Sequence, residues 1–131
     1  MTMQRSLERF PLHLGLGAKA VPQPEFTGME WYTAYGERKA ADGSEGRLVS
    51  QYSFSESWTS WERHPAGDEA VICLEGEITL IQELPDGPRA VALRAGDYAV
   101  NPRGVWHTAD VARHAKALFI TAGAGTEHRP R

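Results

Sequence analysis

Apolar and polar residues alternate along this chain in short runs, and no long stretch keeps the 3.6-residue period of a helix. Runs rich in Val, Ile, Tyr, Phe and Trp stand between Gly, Pro and Asp, the pattern of half-buried strands separated by turns. It predicts strands over Glu30 to Tyr35, Arg47 to Phe54, Ser57 to Glu62, Glu69 to Leu74, Glu77 to Gln82, Arg89 to Leu93, Tyr98 to Asn101 and Ala117 to Thr121, with another opening at His107. Asp42-Gly43-Ser44 is expected to close a hairpin and Glu75-Gly76 to make a tight reversal. Pro85-Asp86-Gly87-Pro88, Ala95-Gly96-Asp97 and Pro102-Arg103-Gly104 supply further turns, each with residues suited to bent backbone. Short strands at this spacing predict an all-β sandwich or barrel.

The ends break the pattern. Pro11, Pro22 and Pro24 interrupt a stretch carrying Leu12, Leu14, Leu16 and Phe26, so residues 1–28 read as an irregular arm, packed along the barrel or crossing to a second subunit. Residues 29–124 form the single expected domain. Residues 125–131 read as a tail, the end of an ordered Gly123–Gly125 turn that then frays.

A chain of 131 residues can bury one core and is short for two. Its net charge of -3, with no basic stripe, argues against a nucleic-acid partner. The opening Met1-Thr2-Met3-Gln4-Arg5-Ser6 leads into Leu7, Glu8 and Arg9 with no apolar leader core. No run is long enough to span a membrane, so a cytoplasmic protein without membrane partners is expected. The one cysteine, Cys73, excludes an intrachain disulfide and a thiolate zinc site. Within Val71-Ile72-Cys73-Leu74 it reads as a small core residue.

Chemistry concentrates between Trp61 and Gly76. On a strand, residues two apart share a face, so Glu62 and His64 point one way while Trp61 and Arg63 point the other. Pro65-Ala66-Gly67-Asp68 turns the chain, and Glu69 brings back a second carboxylate. Downstream, His107 follows the Pro102-x-Gly104 turn and can complete a set of four. Two imidazoles with carboxylates suit one borderline divalent ion, Fe, Mn, Ni, Co or Zn, with positions left for water or substrate. Glu62 and Glu69 are also the candidate catalytic residues, as fixed ligand or proton acceptor. Trp58 and Ser60 share the parity of Glu62 and are expected to line the pocket, with Tyr52, Phe54 and Trp106 as further wall. His13, His114 and His128 read as surface residues.

These stretches resemble the paired motifs of the cupin superfamily. The first motif is matched by His64, four residues, Glu69, six residues and Gly76. Glu62 stands where the family has its first histidine, and Ser55 or Glu56 where it has its leading glycine. The second is matched by Gly96, Pro102, Gly104 and His107, with Val111 in the place of a terminal asparagine. The resemblance runs from Ser55 to Val111 and implies a double-stranded β-helix, a jelly-roll barrel of two antiparallel sheets with the ligands inside, and a homodimer. It allows dioxygenase, isomerase and lyase activities on a small molecule. Oxygen-dependent cleavage of a dicarbonyl or enol-like substrate is the narrower expectation, and a non-catalytic barrel that binds a small sugar or acid is the alternative.

Overall fold

The structure is a computed structural model that describes residues 4–131; the start of the expected arm, Met1 to Met3, lies outside them. Among the described residues, ten strands run antiparallel to their neighbours in two sheets. They are β1 (Leu12–Gly15), β2 (Lys19–Pro22), β3 (Arg47–Phe54), β4 (Ser60–Arg63), β5 (Glu69–Leu84), β6 (Gly87–Arg94), β7 (Tyr98–Asn101), β8 (His107–Asp110), β9 (Ala115–Thr121) and β10 (Glu127–Pro130). One sheet runs β2-β1-β3-β9-β5-β7 and the other β10-β4-β8-β5-β6. This is the expected all-β jelly-roll barrel.

The long β5 belongs to both sheets. Its first half pairs with β7 and β9, its second with β6 and β8. The expected reversal at Glu75-Gly76 is therefore a bend within one strand. An irregularity between Cys73 and Glu75 inserts one residue and shifts the side-chain parity. Glu69, Val71 and Cys73 face inward before it, Ile78, Leu80 and Gln82 after it. A bulge thus lets both halves bury their apolar face, and Cys73 is buried in the core with Leu93, Val111 and Phe119.

Four expectations are corrected, each for a physical reason. Glu30 to Tyr35 lies in the helix α1 (Met29–Arg38), because Trp31 and Tyr35, four apart, stack at 5.4 Å on one helical face. Their strand propensity yields to that packing. With no strand before it, Asp42-Gly43-Ser44 is not a hairpin turn but lies in a short 3-10 segment, Ala40–Glu45. The arm is irregular only in part: β1 and β2 form a hairpin that extends the sheet beyond β3. Nor does the tail fray, since β10 pairs along β4 and covers an edge that would otherwise expose unpaired backbone.

The helix packs over the barrel mouth. Trp31 is buried and donates its indole N–H to the Pro24 carbonyl at 3.0 Å. Phe26 meets Trp31, Tyr32 and Tyr52 edge-on. Among the described residues no helix is long and apolar enough to cross a membrane.

Candidate metal centre

Glu62 on β4 and His107 on β8 are direct cross-strand partners, so their side chains rise from the same face. His64, just past the end of β4, is turned toward them and its ring centroid lies 5.2 Å from that of His107. Among the described residues, Glu62, His64 and His107 each offer a ligand atom within 4.8 Å of the others. Glu69, at the start of β5, sits between the imidazoles: Oε2 is 3.2 Å from His64 Nε2 and Oε1 is 3.2 Å from His107 Nε2. The structure thus brings together all four expected ligands.

The surroundings fix how these groups point. Thr126 gives its hydroxyl hydrogen to the Gly123 carbonyl at 2.8 Å and so accepts from His64 Nδ1 at 2.8 Å. His107 Nδ1 faces the Val105 carbonyl. Each ring therefore turns Nε2 inward, the arrangement by which outer partners set the tautomer of a metal-binding histidine. Those two Nε2 atoms are buried and have no aligned hydrogen-bond partner, Glu69 being near in distance but off-line. Such atoms are costly to leave unsatisfied, and a divalent ion among them supplies the missing partner. The residues fit a metal.

Glu69 is held from behind. Asn101 Nδ2 donates to Oε1 at 3.1 Å and Thr121 Oγ1 to Oε2 at 2.7 Å, while Gln82 Nε2 donates to Asn101 Oδ1 at 3.0 Å and sets that amide's orientation. Burial alone would push its carboxyl up, but the imidazoles of His107 and His64 hold it well below the usual carboxylate range. Glu62 is freer, 22% exposed, with its other oxygen 3.2 Å from His128 Nε2.

Burial works against a charged His107, yet Glu62 and Glu69 outweigh it and raise its pKa to about 9. A folded-state pKa above the unfolded value of about 6.5 means that the folded chain holds the extra proton between the two. The metal-free protein should therefore carry this stabilisation in full below about pH 6.5 and lose it as pH rises through about 9. Urea midpoints of chelator-treated protein across that window check this; a midpoint that climbs instead would show that His107 folds neutral.

The centre opens on a cavity of about 1020 Å³, the upper end of the usual range for small-molecule sites. Trp58, Ser60 and Tyr52 line it as expected, together with Phe54, Phe119 and, from the arm and helix, Phe26 and Tyr32. Burial, then Tyr52, raises the Tyr32 phenol, and burial raises Tyr52 despite their mutual hydrogen bond, so both stay neutral. Trp58 keeps a buried indole N–H without a partner.

Trp106 corrects the expected wall. It lies outside, stacked under Arg63 and Arg129 at 4.7 and 4.4 Å, because its neighbour His107 takes the inward parity. His13 corrects the expected surface, being 1% exposed and part of the cavity lining. His128, although half exposed, touches Glu62; its place opposite Glu62 on β10 explains the contact. His114 is at the surface beside Glu75. Asn101, Thr121 and Thr126 were invisible as site residues, although an asparagine ending the apolar run Tyr98-Ala99-Val100 was a signal of a buried polar role.

Residues 54–123 match the family profile described as Cupin domain. No curated protein matches the sequence. Among solved structures, similarity extends to an oxalate oxidase in complex with glycolate, at 18% identity and TM-score 0.54 over 62% of this chain and 45% of that one. It extends also to hydroquinone 1,2-dioxygenase from Sphingomonas sp. TTNP3 with 4-hydroxybenzoate bound, at 17% and 0.50 over 57% and 58%. A protein from Neisseria meningitidis shares 20% identity at TM-score 0.50 over 57% of this chain and 72% of its own. At these identities the likeness is one of fold.

Proposed function

We propose, starting from the fact that this chain belongs to the cupin family, that it is a metal-dependent enzyme acting on a small molecule inside the barrel, by oxygen-dependent cleavage of a dicarbonyl or enol-like substrate. One observation carries the reading. Two buried Nε2 atoms without partners converge with two carboxylates at the wall of a large, mainly apolar cavity.

His64 and His107 would hold the ion through Nε2, and Glu69, already braced by Asn101 and Thr121, would be the fixed carboxylate. A bound divalent ion supplies Lewis acidity and open positions for a pair of substrate oxygens. Glu62 is the proton acceptor: partly open to the cavity, it takes the proton from the carbon between or beside the carbonyls, which leaves the enolate. His128 beside it is placed to relay that proton outward. Trp58 offers its free N–H to a substrate oxygen, and the phenols of Tyr32 and Tyr52 present neutral polar edges. The cupin likeness also favours a homodimer.

Phenylpyruvate and simple 1,3-dicarbonyl compounds, incubated with iron-loaded protein in air and under nitrogen, test the reading. Consumption in air alone, lost in Glu62→Gln with metal content unchanged, is the expected result. Equal consumption in both atmospheres removes the oxygen step, and tight binding without turnover points to the binding barrel.

A further inference from the structure

The same cavity has a second polar cluster, built by residues that the paired motifs do not include. His13 on β1 is 1% exposed. Its Nδ1 is 2.6 Å from the Tyr35 hydroxyl on α1, and its Nε2 is 2.6 Å from Asp42 Oδ2 in the 3-10 segment. The ring is seated closely: a Cβ at Gly46 would lie 2.9 Å from His13 Cε1, and one at Gly15 3.3 Å from Nε2. Tyr35 is held in turn by its stack on Trp31. His13 and Tyr35 both line the cavity.

The sheet register relates this cluster to the metal centre. His13 pairs with Leu48, Leu48 with Thr121, Thr121 with Glu69 and Glu69 with Asn101. One rung of the sheet therefore carries both sites on its inner face, three strands apart, roughly 14 Å at the usual strand spacing of about 4.8 Å. Leu48 and Thr121 lie between them and line the cavity.

The chemistry of the cluster sets its polarity. An ionised carboxylate only accepts, so Asp42 takes the hydrogen of His13 Nε2. When the imidazole is neutral, its lone pair lies on Nδ1 and accepts from Tyr35. With its hydrogen committed to His13, the phenol has only oxygen lone pairs left for the cavity. Burial and the nearby Asp42 carboxylate push the phenol up to about 12, so Tyr35 keeps that hydrogen.

We infer that Asp42, His13 and Tyr35 form a second binding station, which accepts a hydrogen bond from a hydroxyl or phenol at the far end of the substrate. The substrate class follows: a largely apolar, aromatic-compatible molecule with an oxygen pair at one end and a hydroxyl donor at the other. The two-ended substrate rests on the metal reading given above, whereas the station itself does not. Tyr35 touches the ligand; His13 and Asp42 are positioning residues.

The probes are 4-hydroxyphenylpyruvate and phenylpyruvate, which differ only in the distal hydroxyl, titrated calorimetrically into metal-loaded and metal-free protein. Wild type should bind the hydroxylated probe about three- to tenfold more tightly, the worth of one hydrogen bond. Tyr35→Phe should bind both alike, with affinity for phenylpyruvate kept. Asp42→Asn, which no longer dictates the tautomer, should shrink the preference. A cluster that merely ties β1 to the helix would lower the unfolding temperature of both variants and leave the preference untouched, which would overturn the station. It is equally overturned if wild type shows no preference, or if neither probe binds metal-loaded protein. Metal removal that leaves phenylpyruvate affinity unchanged sinks the anchoring end alone, because the hydroxyl preference remains readable.

Discussion

His107→Ala is expected to cut metal affinity by more than about 100-fold, beyond the 10- to 100-fold that loss of an outer partner brings. His107 is wholly buried, and its Nε2 reaches both Glu62 and Glu69. Nothing else on β8 can replace it, since Ala109 is the next inward side chain. The loss also strips the two carboxylates of a shared cationic partner, so the metal-free variant should be less stable, by about 3 kcal/mol or more for breaking a buried charge pair. Elemental mass spectrometry on protein purified without chelators, beside urea unfolding, reads both effects. Thr126→Ala provides the graded comparison: it removes the acceptor that orients His64 Nδ1, and an affinity loss of about tenfold is expected. Full metal occupancy in His107→Ala would show that the ion, if any, sits elsewhere.

Gly76→Ala is expected to be among the most damaging single substitutions outside the centre. The residue has φ +70°, and a Cβ there would lie 2.0 Å from the His114 carbonyl oxygen and 2.9 Å from its carbon. The obstacle is backbone, which cannot swing aside as a flexible side chain would. Left-handed backbone alone costs about 1–2 kcal/mol for a residue with a Cβ; the added collision should bring the total to about 3 kcal/mol or more. Gly104 separates the two contributions, because it has φ +73° with nothing within 4 Å of the added Cβ. Gly104→Ala should cost only the conformational part, about 1–2 kcal/mol. Equal losses in the two variants, measured by urea unfolding, would mean that the bend in β5 relaxes around the methyl group.

Alternation and spacing made the centre readable. Glu62 and His64 share a parity on one strand, and the intervals from His64 to Glu69 and Gly76, and from Gly96 to His107, matched a known arrangement, so the four residues now seen together could be named from the sequence. The strands over Arg47–Phe54 and Tyr98–Asn101 also appear with the expected bounds. What escaped depends on long-range contact. The aromatic spacing Trp31, Tyr32, Tyr35 has two readings, strand by propensity and helix by period, and only packing against Phe26 and the barrel mouth decides between them. A histidine in a proline-broken arm gave no sign that Asp42 and Tyr35 would close around it. Trp106 was misplaced although alternation from the inward His107 turns it outward. The half-step in β5 likewise cannot be seen in Leu74-Glu75-Gly76, where no residue by itself announces a bulge.

The order of parts along the chain also bears on biosynthesis. Glu62, His64 and Glu69 emerge midway, but His107, Thr121 and Thr126 come from the last quarter of the sequence, and β10 closes the edge beside Glu62 only at residues 127–130. A nascent chain still held in the ribosome at these positions has one imidazole and two carboxylates without the cover that orients them. The groups that would hold an ion therefore come together only once the whole barrel has been made.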